Sequence, residues 1–263
     1  MTNPLQPGLI GAAGLDSSRA VGVLGSLIGL IGLIGIWALP APVAAADELA
    51  PLTQSDRPGS PWKRAGLPAQ TKPWTRFTVV TLDGERVLQV EADNSYGNLL
   101  HAVPAAASSK RLLSWRWRVD EPNLKADLRT KAGDDLAIKV CAMFDLPVAA
   151  VPFFERQLLG IAMDRAGEAL PAATVCYLWD SQLPAGTVLD NAFSRRIRTI
   201  VLQGSAAPLR SWRAEKRDVA ADFLKLFGDE SKVVPPLIGV AVGADADNTH
   251  LRSLAHVADV ALQ

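Results

Sequence analysis

LLSWRWRV, residues 112–119, sets Leu113, Trp115, Trp117 and Val119 on one side of an extended chain, and Leu112, Ser114, Arg116 and Arg118 on the other. Successive side chains of a strand point to opposite faces, so both indoles enter a core. Arg116 and Arg118 fall on the outer side as a solvated or salt-bridged face, with contact to an anionic glycan as the functional alternative.

The same period of two recurs along the chain, in RFTVVTL (76–82), RVLQVEA (86–92), NLLHAV (98–103), DLAIKVCAMF (135–144) and ATVCYLW (173–179). It continues in IRTIVLQ (197–203), SWRAEKRDV (211–219), PLIGVAV (236–242) and HVADVAL (256–262). Asp83-Gly84 between the first two segments is a hairpin turn signal. Strands do not alternate regularly with helices, and no long repeat is evident. The pattern predicts an all-β fold, a jelly-roll (galactose-binding-like) β-sandwich, and not a parallel α/β sheet. Two short helices are inserted, over 153–165 after Pro152 and over 219–228 before a terminal glycine. In the second, Phe223, Leu224 and Phe227 share one face, which is read as packing on the sandwich.

The chain has 263 residues, with 27 basic and 27 acidic side chains. No strongly basic run is present, which excludes a nucleic-acid partner. Residues 20–39, AVGVLGSLIGLIGLIGIWAL, carry no charge, and the PAPVAAADE that follows fits small-residue cleavage after Ala46. Residues 1–46 therefore read as a signal peptide, and the location as periplasmic or secreted. A retained inner-membrane anchor is the alternative, because about 20 apolar residues can span a bilayer. The membrane is a partner only in that case. Residues 47–75 form a proline-rich leader without a regular helix or central strand. Residues 76–263 form a single sandwich domain.

Two cysteines, Cys141 and Cys176, are the only ones in the chain. Strand parity puts both on the mixed face, so in neighbouring strands they would be close enough for a disulfide. Two buried free thiols are the other reading.

Two acidic clusters stand out. In GADADNT, Asp245, Asp247 and Asn248 offer three oxygen-bearing side chains, followed by Thr249. An EF-hand is excluded, since His250 stands where the loop needs glycine and His256 where it needs a bidentate glutamate. A looser calcium site on Asp245, Asp247 and Asn248 is the one cofactor reading the spacing admits; an Asx-rich turn satisfying its own backbone is the simpler one. In KAGDD, Asp134 and Asp135 are adjacent, so at a strand entrance they point to opposite faces and make no glycosidase pair alone. An ion pair of Asp135 with Lys139 is expected there. The three histidines lack companions for a zinc site, and no G-x-S-x-G elbow or phosphate-binding loop occurs.

Taken in order, SWRWRVD (114–120), KAGDDLAIKVCAMFD (131–145), ATVCYLWD (173–180), SWRAEKRDVAADFLKLFG (211–228) and IGVAVGADADNT (238–249) resemble a family of exported bacterial proteins known only as a domain of unknown function. The chain is also similar, at fold level, to jelly-roll carbohydrate-binding modules. The family pattern often has arginine where this chain has Lys139, which keeps the charge and loses a planar two-pronged contact. Together these readings predict non-enzymatic binding of a glycan or cell-envelope component through Asp134, Asp135, Lys139, Asp245, Asp247 and Asn248. A polysaccharide hydrolase or lyase using Asp135 or Asp245 is the enzymatic alternative. A purely structural envelope protein with a calcium-stabilised loop is the third.

Overall fold

Asp83 and Gly84 both adopt positive φ, 53° and 84°, as the tight turn joining two consecutive strands requires. The computed structural model describes residues 49–67 and 69–263, so the signal-peptide, cleavage and anchor readings lie outside the described residues. Its strands are β1 (Trp62–Ala65), β2 (Arg76–Leu82), β3 (Glu85–Asp93), β4 (Tyr96–Ala102), β5 (Leu112–Glu121) and β6 (Leu136–Phe144). After them come β7 (Ala173–Trp179), β8 (Val188–Asp190), β9 (Ile197–Gln203), β10 (Arg213–Asp218), β11 (Leu237–Asp245) and β12 (Arg252–Leu262). Two α-helices are inserted, α1 (Phe153–Ala166) between β6 and β7, and α2 (Val219–Phe227) after β10.

The strands form a seven-stranded sheet, β1-β4-β11-β6-β7-β9-β8, and a five-stranded sheet, β10-β5-β12-β3-β2. All strand pairs are antiparallel except β7 with β9. The two sheets make the sandwich that the alternating pattern predicts.

What joins them is aromatic. Leu113, Trp115, Trp117 and Val119 are all buried. Trp115 meets Tyr177 of β7 at 5.3 Å between centroids, and Trp117 meets Trp179 edge-on at 6.1 Å. Each buried aromatic removes a large apolar area from water, and edge-on pairs add to that. Polar handles are mostly satisfied: Tyr177 Oη donates to Asp222 at 2.8 Å and Trp117 Nε1 to Glu215 at 3.2 Å.

The outer face of the larger sheet is not open, because every residue of β7 is buried. Leu128, Leu136, Cys141, Cys176, Leu178 and Ala241 form a second apolar cluster there, with Leu183 from a connecting segment and Leu189 from β8 packed on it. Cys141 and Cys176 are register partners in β6 and β7 and are joined by a disulfide.

Two expectations need correction. The stretch 47–75 is more than a leader: Leu49, Leu52 and Trp62 lie in the core, and β1 adds an edge strand, the position proline-flanked segments tolerate. On α2 the buried apolar residues are Val219, Phe223, Leu226 and Phe227, whereas Leu224 is exposed, because the helix turns its i, i+4, i+7, i+8 stripe to the core. Of the solvated or salt-bridged face expected for the two arginines, Arg118 takes the salt-bridged form: it is 9% exposed and paired with Asp83 and Asp120.

Candidate functional site

Asp135 carries the turn between β11 and β12. Its carboxylate is completely buried and accepts four hydrogen bonds. Oδ1 takes the Asn248 backbone N–H at 3.1 Å and its Nδ2 at 3.2 Å; Oδ2 takes the Thr249 N–H and Oγ1, each at 2.6 Å. Thr249 Oγ1 also accepts from Asn123 Nδ2 at 2.8 Å. Asn248 Nδ2 reaches the Asp134 carbonyl at 3.1 Å as well. The two acidic segments, distant in sequence, therefore meet at one end of the sandwich. An ionised carboxylate facing four donors is strongly stabilised, and this one is fully used.

Asp134, which with Asp135 precedes β6, has a different partner and accepts from Asn191 Nδ2 at 2.6 Å. Burial raises its carboxyl above the usual carboxylate range, while the Asn191 amide opposes the shift. Asp245 ends β11 on the same rim. Burial pushes it up to about 7, Lys139 opposes this, and Asp134, Asp135 and Asp247 push further the same way. Lys139 Nζ lies 3.4 Å from Asp245 Oδ2 and 5.1 Å from the centre of the Tyr96 ring. Burial alone would lower the lysine, but Asp245, Tyr96 and Asp134 outweigh it and hold the ammonium above its ordinary range. Asp245 Oδ1 is buried and has no hydrogen-bond partner among the described residues. Asp247 is met by Lys72, whose Nζ lies 3.7 Å from Oδ2 and donates to the Asp247 carbonyl at 3.3 Å.

Local backbone makes room for this set. A Cβ on Gly243 would fall 2.0 Å from Asn98 Oδ1, so only glycine lets the Asn98 side chain lie across β11. Asn98 Nδ2 in turn donates to Tyr96 Oη at 3.4 Å. The register of β11 shifts between Gly243 and Asp245, an irregularity of the kind that re-aims a side chain at a strand end.

All six residues selected from the sequence thus gather at one rim, with different occupations. Lys139 pairs with Asp245 and not with Asp135. Asp135, just before β6, is taken up by Asn248 and Thr249, whereas Lys139 faces Gly243 across the sheet, two residues from Asp245. Among the described residues no group of three or more His, Cys, Asp or Glu side chains is placed to hold a metal ion. Beside Asp245 the positive charge is supplied by Lys139, and the Asn248 amide points its N–H groups, not its oxygen, at the carboxylate. Asn191, Tyr96, Asn98, Asn123 and Lys72 complete the site without having been selected, because each arrives from a different, distant segment and no spacing marks it.

The family described as "Protein of unknown function (DUF3047)" matches residues 60–261. No curated protein matches the chain in sequence. Among solved structures, the chain is similar to the family 11 carbohydrate-binding module from Clostridium thermocellum in complex with a β-1,3-1,4-mixed-linked tetrasaccharide. That likeness covers 79% of this chain and 91% of that chain, at 9% identity and a TM-score of 0.36. The xyloglucanase domain of NopAA, a type three effector from Sinorhizobium fredii in complex with cellobiose, is similar over 77% of this chain and 92% of that chain, at 9% identity and a TM-score of 0.38. Endoglucanase 3 of Trichoderma harzianum, from family GH12, is similar over 77% and 98%, at 8% identity and a TM-score of 0.36. Such distant likenesses leave the ligand to be argued from the site itself.

Proposed function

The chain belongs to the DUF3047 family, and from that premise we propose that its acidic rim binds a glycan or another hydroxyl-bearing envelope component without transforming it. The observation that carries this is Asp245 Oδ1, buried beside the Lys139 ammonium with no hydrogen-bond partner among the described residues. An unmet buried acceptor costs about 1–3 kcal/mol, and a ligand donor would recover it. A sugar hydroxyl both donates and accepts, so one hydroxyl can give its proton to Asp245 and take one from Lys139. Asp134 and Asp247 supply further acceptors on the same rim. Asp135 is the positioning group, since its four bonds leave it no capacity for a ligand.

We place this activity outside the cytoplasm. The Cys141–Cys176 disulfide supports that reading, as does the uncharged run over residues 20–39 followed by a cleavage pattern.

One observation favours a second reading. A carboxyl held near 7, as Asp245 is, suits a general acid. A glycosidase needs a second carboxyl across the scissile bond, and the fully bonded Asp135 does not offer one.

The test is a glycan array probed with the purified full-length protein in mild detergent. Binding is expected for the parent and lost in the Asp134→Ala/Asp247→Ala double variant and in Asp245→Asn. Unchanged array binding in folded variants removes the site assignment. Release of new reducing ends from a bound glycan, abolished in Asp245→Asn, selects the enzymatic reading instead.

A further inference from the structure

A second polar feature stands on the same end of the sandwich. Pro184 and Ala185, before β8, Gln203 at the end of β9, and residues 204–208, between β9 and β10, border an open cavity of about 410 Å³ that Arg213 lines. That volume lies within the range of small-ligand sites. The loops are pressed together at Gly204, where a Cβ would meet the Leu183 carbonyl oxygen at 2.4 Å. Trp179 of β7 pairs with Gln203, so the cavity is three strand spacings from Asp245 across β6 and β7, about 15 Å.

Arg213, Glu215 and Arg217 alternate along β10 and so share one face. Glu215 Oε1 accepts from Trp117 Nε1 at 3.2 Å and from Gln203 Nε2 at 2.7 Å. Arg217 forks onto Asp222, with Nη2 donating to Oδ1 at 2.6 Å and Nε to Oδ2 at 2.9 Å. Arg213, alone of the three, has no hydrogen-bond partner among the described residues. It is half-buried, its Nε is fully buried and unpartnered, and among the described residues it forms no ion pair. A partly desolvated guanidinium without a counter-charge is costly, and its planar fork matches a carboxylate.

We infer that this cavity takes the carboxylate of a small acid, with Arg213 as its counter-charge and the proline and alanine walls against the acid's body. The site is independent of the acidic rim. Its ligand is a free acid or an acidic residue of a polymer.

Calorimetry on the purified full-length protein tests it with glucuronate, glucose, trigalacturonate and inorganic phosphate. Glucuronate is expected to bind saturably and glucose not to. Arg213→Gln is expected to weaken glucuronate by about ten-fold or more, and Arg213→Lys by less, since charge survives and the fork does not. Ala206→Phe, on an exposed wall, is expected to block binding with no change of charge, so the inference stays testable if the arginine variant fails to fold. Tighter binding of trigalacturonate than of glucuronate assigns the acid to a polymer; equal affinity assigns it to a free acid. Asp245→Asn should leave glucuronate binding intact even where it abolishes glycan capture, which separates the two sites. Glucuronate held no better than glucose, affinity indifferent to both Arg213→Gln and Ala206→Phe, or phosphate preferred over carboxylate each overturns the inference.

Discussion

Asp135→Ala removes one acceptor group from four donors at once, leaving Asn248 and Thr249 without the carboxylate that fixes their turn. The expected loss is about 3 kcal/mol in urea unfolding, since buried donors lose a charged partner. Asp245 predicts a pH dependence of stability. Its carboxyl is lifted from 3.8 to about 7, so the folded chain holds the proton more tightly than the unfolded one. Its contribution is therefore complete below about 4 and is lost as pH rises through about 7. Asp245→Asn is expected to flatten the fall of the melting temperature between pH 4.5 and 8. A slope unchanged in that variant would assign the titration to another group. At this scale the sequence shows which residues are acidic and hides what they meet. GDD and DADNT could be picked out as clusters; that Asp135 would be saturated and Asp245 left short required the partners Thr249, Asn248 and Lys139 in place.

Strands β6 and β7 show what parity can reach. Alternation put Cys141 and Cys176 on one face, and the observed register makes them direct partners. The disulfide closes a loop with a sequence separation of 35, so Cys141→Ala/Cys176→Ala is expected to cost about 4 kcal/mol by the loop-entropy relation. Thermal melts of that variant, or of the parent with reductant, check it. No change on reduction would mean that the link adds nothing to the packed pair of strands. The long periodic strands were readable because each repeats its pattern several times. The short β1 and β8 were not, since four and three residues hold too few alternations to distinguish a strand from a loop. On α2, Asp218 accepts from the N–H groups of Ala220 and Ala221, each at 3.0 Å, fixing where the helix starts and hence which of its residues face inward. That one-residue phase is why Leu224 stands outside and Leu226 inside.

Trp115, Trp117, Tyr177 and Trp179 form an aromatic seam between β5 and β7 within a larger apolar core. Trp117→Ala is expected to cost about 4 kcal/mol, because it opens a cavity and also removes one of the two donors to Glu215 Oε1. Lower urea midpoints with an unchanged m-value would confirm it; parental stability would refute a core role for this indole. By itself the sequence determined the alternation, the hairpin at Asp83-Gly84, the apolar company of the tryptophans and the presence of two acidic runs. All of these are local, set by side-chain period and turn chemistry. Only the tertiary structure decided that β11 lies between β4 and β6, bringing Asp245 to Lys139 and Tyr96, and that the β9–β10 crossing leaves Arg213 beside a cavity without a counter-charge. Strand order and loop closure join residues a hundred or more positions apart, and nothing in the spacing of one chain records which distant edge a strand will choose.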